Sequence, residues 1–238
     1  MKPIRWVTVL AAMAVWGSSA LLARAAEEDG VALAIVYDTS GSMKEAVRDA
    51  TGKLAPKYVI ANRALEAVAR RVETFATNTA AGGPRKIQAG LFVFAGNGAR
   101  PAIPFGPFNA QAFHSWARTF STPSGGTPLG TAVDAAGAAV LNSGLTRKHV
   151  LVITDGINTV KPDPAEVMPA LKRQAEQKQT GLSVHFIAFD VDAKVFDGVK
   201  KLGATVVGAA NETQLNTQLE FILAKKILLE DEDPPTKK

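Results

Sequence analysis

No cysteine occurs anywhere in the 238 residues. Thiolate catalysis, Cys-type zinc sites, disulfide bridges and a lipid-modified N-terminal cysteine are therefore excluded together. An exported domain without disulfides has to rest on its hydrophobic core, and a chain of this length can build one. Histidine is scarce: His114, His149 and His185 are the only three. They fall on a helix, a strand start and a strand interior without metal-ligand spacing, so core or surface roles suit them better. Catalytic signatures are missing too, with no Gly-x-Ser-x-Gly elbow and no phosphate loop. Gly96-Asn97-Gly98 runs into Ala99-Arg100-Pro101 and lacks the third glycine and the helix start of a dinucleotide fingerprint.

The excess of positive charge is smaller than its nominal value. Lys2 and Arg5 precede an almost uncharged run, Trp6 to Leu22, and Ala23-Arg24-Ala25 sets small residues two apart ahead of Ala26-Glu27-Glu28-Asp29. This is the pattern of an export signal, expected over residues 1–25; an uncleaved signal anchor is the alternative. Removal of Lys2, Arg5 and Arg24 takes the net charge from +5 to +2. The basic isoelectric point is then no argument for nucleic-acid binding. Residues 229–238 read as a disordered tail of acidic and then basic residues, and no long apolar run lies there to act as an anchor. A single folded domain is expected over 26–228, in the periplasm or outside the cell, with no stable membrane anchor once the signal is cleaved.

Within that domain apolar runs alternate with amphipathic segments. Val31 to Tyr37 has no polar alternation, as expected of a strand buried on both faces. Tyr58 to Thr77 carries apolar residues at helical spacing, with Pro56 ahead of it. Lys86 to Ala95 reads as a second buried strand, and the proline-broken Ala99 to Phe105 as a short edge strand. Asn109 is placed to cap a helix containing Phe113 and Trp116. Further on, helix is expected from Ala132 to Leu141, strand from His149, helix from Pro164 to Gln179, and strand from Leu182 to Phe189. Helix from Ala193 to Leu202, strand from Thr205 to Val207 and helix from Glu212 to Leu228 complete the chain. The order implies an α/β fold: a doubly wound, mostly parallel sheet flanked by helices. Ligands of such sheets sit at the carboxyl ends of the strands.

Two of the buried strands end in aspartate. The first delivers Asp38-Thr39-Ser40-Gly41-Ser42, a carboxylate and two hydroxyls at alternate positions, with Gly41 free to bend the backbone between them. The second delivers Asp155-Gly156. Between them lies Ser124-Gly125-Gly126-Thr127, in the most loop-like stretch of the domain. These residues are an oxygen-only set of the kind a hard divalent cation prefers. Taken singly, each has another reading. Asp38 could cap a helix in a Ser/Gly-rich turn, Thr127 could cap a helix beginning near Leu129, and Asp155-Gly156 could be a simple turn.

In order and context these segments resemble a von Willebrand factor A-type domain, whose metal-ion-dependent adhesion site follows the pattern Asp-x-Ser-x-Ser, then a loop Thr, then an Asp after a strand. The resemblance covers roughly Val31 to Lys226. It implies a Rossmann-like single domain and a divalent cation, usually Mg2+ with Mn2+ or Ca2+ as other choices. That ion is held by the hydroxyls of Ser40, Ser42 and Thr127, with Asp38 and Asp155 acting largely through bound waters. It also implies an open position on the ion for an acidic residue of a partner protein. Neutral hydroxyl ligands leave most of the charge on the ion and keep that position attractive to a carboxylate.

Asp134, Asp163, Asp190 and Asp192 are expected in surface, loop or cap roles, and Asn158 at the rim. The alternative function is a metal-dependent phosphohydrolase attacking through Asp38. That chemistry needs a second acid two residues on, where Ser40 stands. The expectation is therefore a non-catalytic, metal-dependent protein-binding module, its oligomeric state left open.

Overall fold

The apolar run ending at Tyr37 becomes the centre of the sheet in a computed structural model that describes residues 27–78 and 85–228. β1 (Glu28–Tyr37) lies between β4 (Ile87–Ala95) and β6 (Leu145–Thr154), parallel to both. β7 (Ser183–Phe189) and β8 (Thr205–Ala209) continue the parallel array beyond β6, and β5 (Gly98–Pro107) closes the other edge antiparallel to β4. The order is β5-β4-β1-β6-β7-β8. The chain therefore leaves β1 to one side, returns on the other, and makes β1 the switch point.

Helices cover both faces. α1 (Lys57–Thr77), α2 (Ala110–Thr119) and α6 (Glu212–Ile222) pack against Val31, Leu33, Ile35 and Tyr37. α3 (Leu129–Leu141), α4 (Pro164–Gln177) and α5 (Asp197–Lys201) pack against Ala32, Ala34 and Val36. Each residue from Val31 to Tyr37 thus belongs to one of two cores, which is why that run shows no polar alternation. The small side chains on the second face suit a close-packed α3. A Cβ on Gly137 of that helix would lie 2.7 Å from the Leu171 side chain of α4.

Local signals act where expected. Asn109 caps α2 by accepting from the Ala112 amide at 3.2 Å, and Asp163 caps α4 in a capping box with Glu166. Several bounds differ. The stretch before α1 holds a small hairpin, β2 (Ala46–Arg48) with β3 (Leu54–Pro56), whose three-residue strands are too short to show a period. β5 has ten residues rather than a short span, because an edge strand accommodates its prolines with irregular register. α3 starts at Leu129, the residues from Ala193 form a 3-10 turn before α5, and α6 gives way to a π-helical turn at Leu223–Ile227. The export signal, the tail and most of the turn after α1 lie outside the described residues.

Candidate metal centre

β1 and β6 end in step, Tyr37 opposite Ile153, so Asp38 and Asp155 leave the sheet side by side. Asp38 is fully buried. Its Oδ1 accepts from the Ser40 amide at 2.8 Å and its Oδ2 from the Thr154 hydroxyl at 2.6 Å. The first bond folds the chain into an Asx turn and turns the two serines toward each other, with Oγ atoms 3.0 Å apart. Ser42 then donates to Asp155 Oδ1 at 2.8 Å. One chain of polar contacts runs from the first segment to the third.

Thr127 arrives from the loop before α3. Its amide donates to Thr159 Oγ1 at 2.7 Å and its carbonyl accepts from the Thr159 amide at 3.0 Å. The N-cap of α3 is Pro128, with no side-chain cap bond, so the Thr127 hydroxyl does not cap that helix. It has no hydrogen-bond partner among the described residues, and although the residue is buried as a whole the oxygen itself keeps access to solvent. A Cβ built on Gly156 would stand 3.3 Å from Thr127 Oγ1 and 3.8 Å from Ser42 Oγ. Both hydroxyls therefore border one small space that glycine leaves clear. Asp38, Ser40, Ser42, Thr127 and Asp155 are all brought to this corner.

The electrostatics there are unbalanced. Burial, together with the neighbouring Asp155 carboxylate, pushes Asp38 up to about 6, because two anions are held close in a medium that solvates neither well. A cation between them would remove that penalty. Among the described residues no three His, Asp or Glu side chains converge as a ligand cluster. Here the donors are two carboxylates and three hydroxyls, an all-oxygen set that fits a hard divalent ion.

The sequence model of the von Willebrand factor type A domain matches residues 32–220. The chain belongs to this family. Solved structures similar to this VWA domain include the PilB minor pilin from Streptococcus sanguinis, 14% identical with a TM-score of 0.59, over 82% of this chain and 61% of the pilin. Another is proximal thread matrix protein 1 from the mussel byssus, in a form with a zinc-occupied MIDAS motif (14% identity, TM-score 0.57, 83% of this chain, 48% of that one). A third is the vWF domain of the type V pili tip protein Mfa5 from Porphyromonas gingivalis (14% identity, TM-score 0.57, 82% of this chain, 94% of that one). At such identities the likeness is one of fold. The chain spans less than two thirds of the pilin and of the byssus protein. No curated protein matches it.

One residue of this VWA corner escaped the sequence reading. Lys57, 3% exposed, donates to Asp155 Oδ2 at 3.1 Å and also pairs with Glu45 at 2.9 Å and Asp190 at 3.0 Å. Burial works against its charge, yet the hydrogen bonds to Glu45, Asp190 and Asp155 outweigh it and hold the lysine above its ordinary value. The only hint in the sequence was a lysine opening a helix, where the macrodipole disfavours a cation. With Ser42 on one oxygen and Lys57 on the other, the Asp155 carboxylate has a fixed plane.

The remaining acids take smaller roles. Asp134 is exposed, Asp163 and Asp192 cap their helices, and Asp190 meets Lys57. Asn158 accepts from the Gly130 amide at 3.2 Å and donates to the Val160 carbonyl at 2.8 Å, bracing the loop behind Thr127. The histidines are less scattered than their sequence positions implied. Pairing of β6 with β7 stacks His149 on His185, nitrogen to nitrogen at 3.3 Å, in the core.

Proposed function

We propose that this VWA domain is a non-catalytic, exported binding module. It holds a divalent cation, Mg2+ in the first instance, through Ser40, Ser42 and Thr127, with Asp38 and Asp155 behind them. When bound, the ion supplies a Lewis-acidic position for an acidic residue of a partner protein. The observation that carries this reading is the meeting of the Ser42 and Thr127 hydroxyls at one space that Gly156 keeps open, with Thr127 Oγ1 making no hydrogen bond among the described residues. A phosphohydrolase finds less support. Both Asp38 oxygens accept hydrogen bonds, and the position of a general acid is a serine.

An exported location is supported by the leader pattern of residues 1–25. The proposed boundaries are a leader at 1–25, the domain at 26–228 and a tail at 229–238. The pilin, pilus-tip and byssus proteins that share the fold favour a partner in a surface assembly. Calorimetric titration with Mg2+ and Mn2+ tests the site. Thr127→Val keeps the shape and removes one ligand, so cation affinity falls about tenfold while the melting temperature in chelator stays unchanged. Undiminished affinity in this variant overturns the assignment.

A further inference from the structure

A second feature adjoins the candidate site, on the β4 side of β1. A cleft of about 460 Å³ opens there between the end of β4, the start of β5, the end of α2 and the loop that leads to Thr127. Its aromatic wall is Trp116 and Phe120, stacked with centroids 4.9 Å apart. Both rings are half-buried and present apolar surface to the cleft.

That wall is rigid. Trp116 meets Tyr37 edge-on at 4.9 Å, and Tyr37 Oη donates to Asn62 Oδ1 at 2.7 Å while Asn62 Nδ2 donates to the Phe120 carbonyl at 2.9 Å. The opposite wall shares backbone with the serine turn. The Ser124 amide donates to the Thr39 carbonyl at 2.8 Å, and the Gly41 amide to the Gly125 carbonyl at 3.0 Å. A ligand lying in the cleft therefore lies against the same turn that carries Ser40 and Ser42.

Among the described residues, Arg100 is the only charged one that lines the cleft. It is exposed, and its side chain makes no hydrogen bond or ion pair among the described residues. An arginine fork left open in the same cleft as an aromatic wall, beside a centre proposed to attract carboxylates, is complementary to acid and apolar groups in close succession.

We infer that the cleft takes an extended acidic segment of the partner protein. One side chain of that segment, apolar or aromatic, lies on Trp116 and Phe120, and a carboxylate pairs with Arg100, next to the carboxylate that meets the ion. This rests on the metal-dependent function proposed above and names the chemistry of its partner. The cleft selects which acidic segment is accepted, and the ion alone would not discriminate among exposed carboxylates.

The test is a random peptide library displayed on phage, panned in Mg2+ on the full chain and on its Arg100→Glu and Ser124→Tyr variants. Enriched sequences are then re-measured as labelled peptides by fluorescence anisotropy. Arg100 has no bond to lose and the Ser124 contact is made by its amide, so both variants fold; circular dichroism checks it. The expected peptides elute with chelator, carry two acidic residues flanking an apolar one, and bind each variant about tenfold or more weakly. Chelator-sensitive peptides that bind all three proteins equally overturn the cleft and leave the metal reading intact. Peptides that require Arg100 but ignore chelator support the cleft and overturn the metal reading. No enrichment on the unmodified protein overturns the cleft.

Discussion

β6 buries charge at both of its ends. Toward the amino-terminal end the Lys148 side chain is wholly buried, and its ammonium donates to Glu27 Oε1 at 2.8 Å, to Thr180 Oγ1 at 3.0 Å and to the Leu145 carbonyl. Thr180 in turn donates to the other oxygen of Glu27 at 3.1 Å. Every proton of the lysine has an acceptor, and the charges cancel. Just past the carboxyl-terminal end, Asp155 and Asp38 repel each other, Lys57 is shared with Glu45 and Asp190, and the Thr127 hydroxyl has no partner. Same-sign charge has been gathered there rather than cancelled. The first network is complete within the chain and serves the fold; the second is left with negative charge in excess and an unpaired hydroxyl, as the cation site proposed above requires.

The largest effect expected from this contrast is at the closed end. Glu27→Ala leaves Lys148 buried without its counter-charge and should lower stability by about 3 kcal/mol, read from urea denaturation, while cation affinity is unchanged. A loss of cation affinity in that variant would mean the two ends are coupled. Next comes the open end, where Asp38→Asn removes one of two like charges and keeps the shape. Cation affinity should fall about 100-fold, yet the cation-free protein should gain about 1–2 kcal/mol at pH 7. Calorimetry and denaturation in chelator measure the two effects separately. A less stable cation-free variant would show that the carboxyl end, too, is a finished structural network.

The smallest effect concerns the His149–His185 stack between those ends. Burial first, then the charges of His185 and Arg147, push His149 down to about 3. Burial and Lys226 push His185 down to about 4. Unfolded rings take up protons near about 6.5 and folded ones do not. Stability is therefore complete above that pH and declines as pH falls toward 4. The decline amounts to about 1 kcal/mol per ring by pH 6. His149→Gln combined with His185→Gln should flatten the slope between pH 7 and pH 6. An unchanged slope would place the acid sensitivity elsewhere.

Much of this was legible in the chain. Val31 to Tyr37 announced a strand buried on both sides, and Asp38 and Asp155 announced strand ends at the ligand edge of a parallel sheet. Thr127 could be singled out only through its order relative to the two aspartates, because a threonine before Pro128 also reads as a cap. Lys57 was missed since its three acids come from a turn and from just past the ends of two different strands, a grouping that no sequence window contains. The histidine stack needed the pairing of β6 with β7. The hairpin before α1 was too short to leave a period, and the cleft has no motif at all.

The order of hydrophobic runs and strand-end acids was enough to imply a mostly parallel sheet, its flanking helices and acids at its carboxyl edge, because periodicity and strand termini are local properties of the chain. The five-residue oxygen set followed from resemblance to the von Willebrand factor A pattern. Only the tertiary structure decided which charges meet. Placing β1 between β4 and β6 put Asp38 against Asp155, set Lys57 beside Asp155 and brought Arg100 into one cleft with an aromatic wall. Electrostatic energy depends on separation in space and on burial, and neither is written in the distance along the sequence.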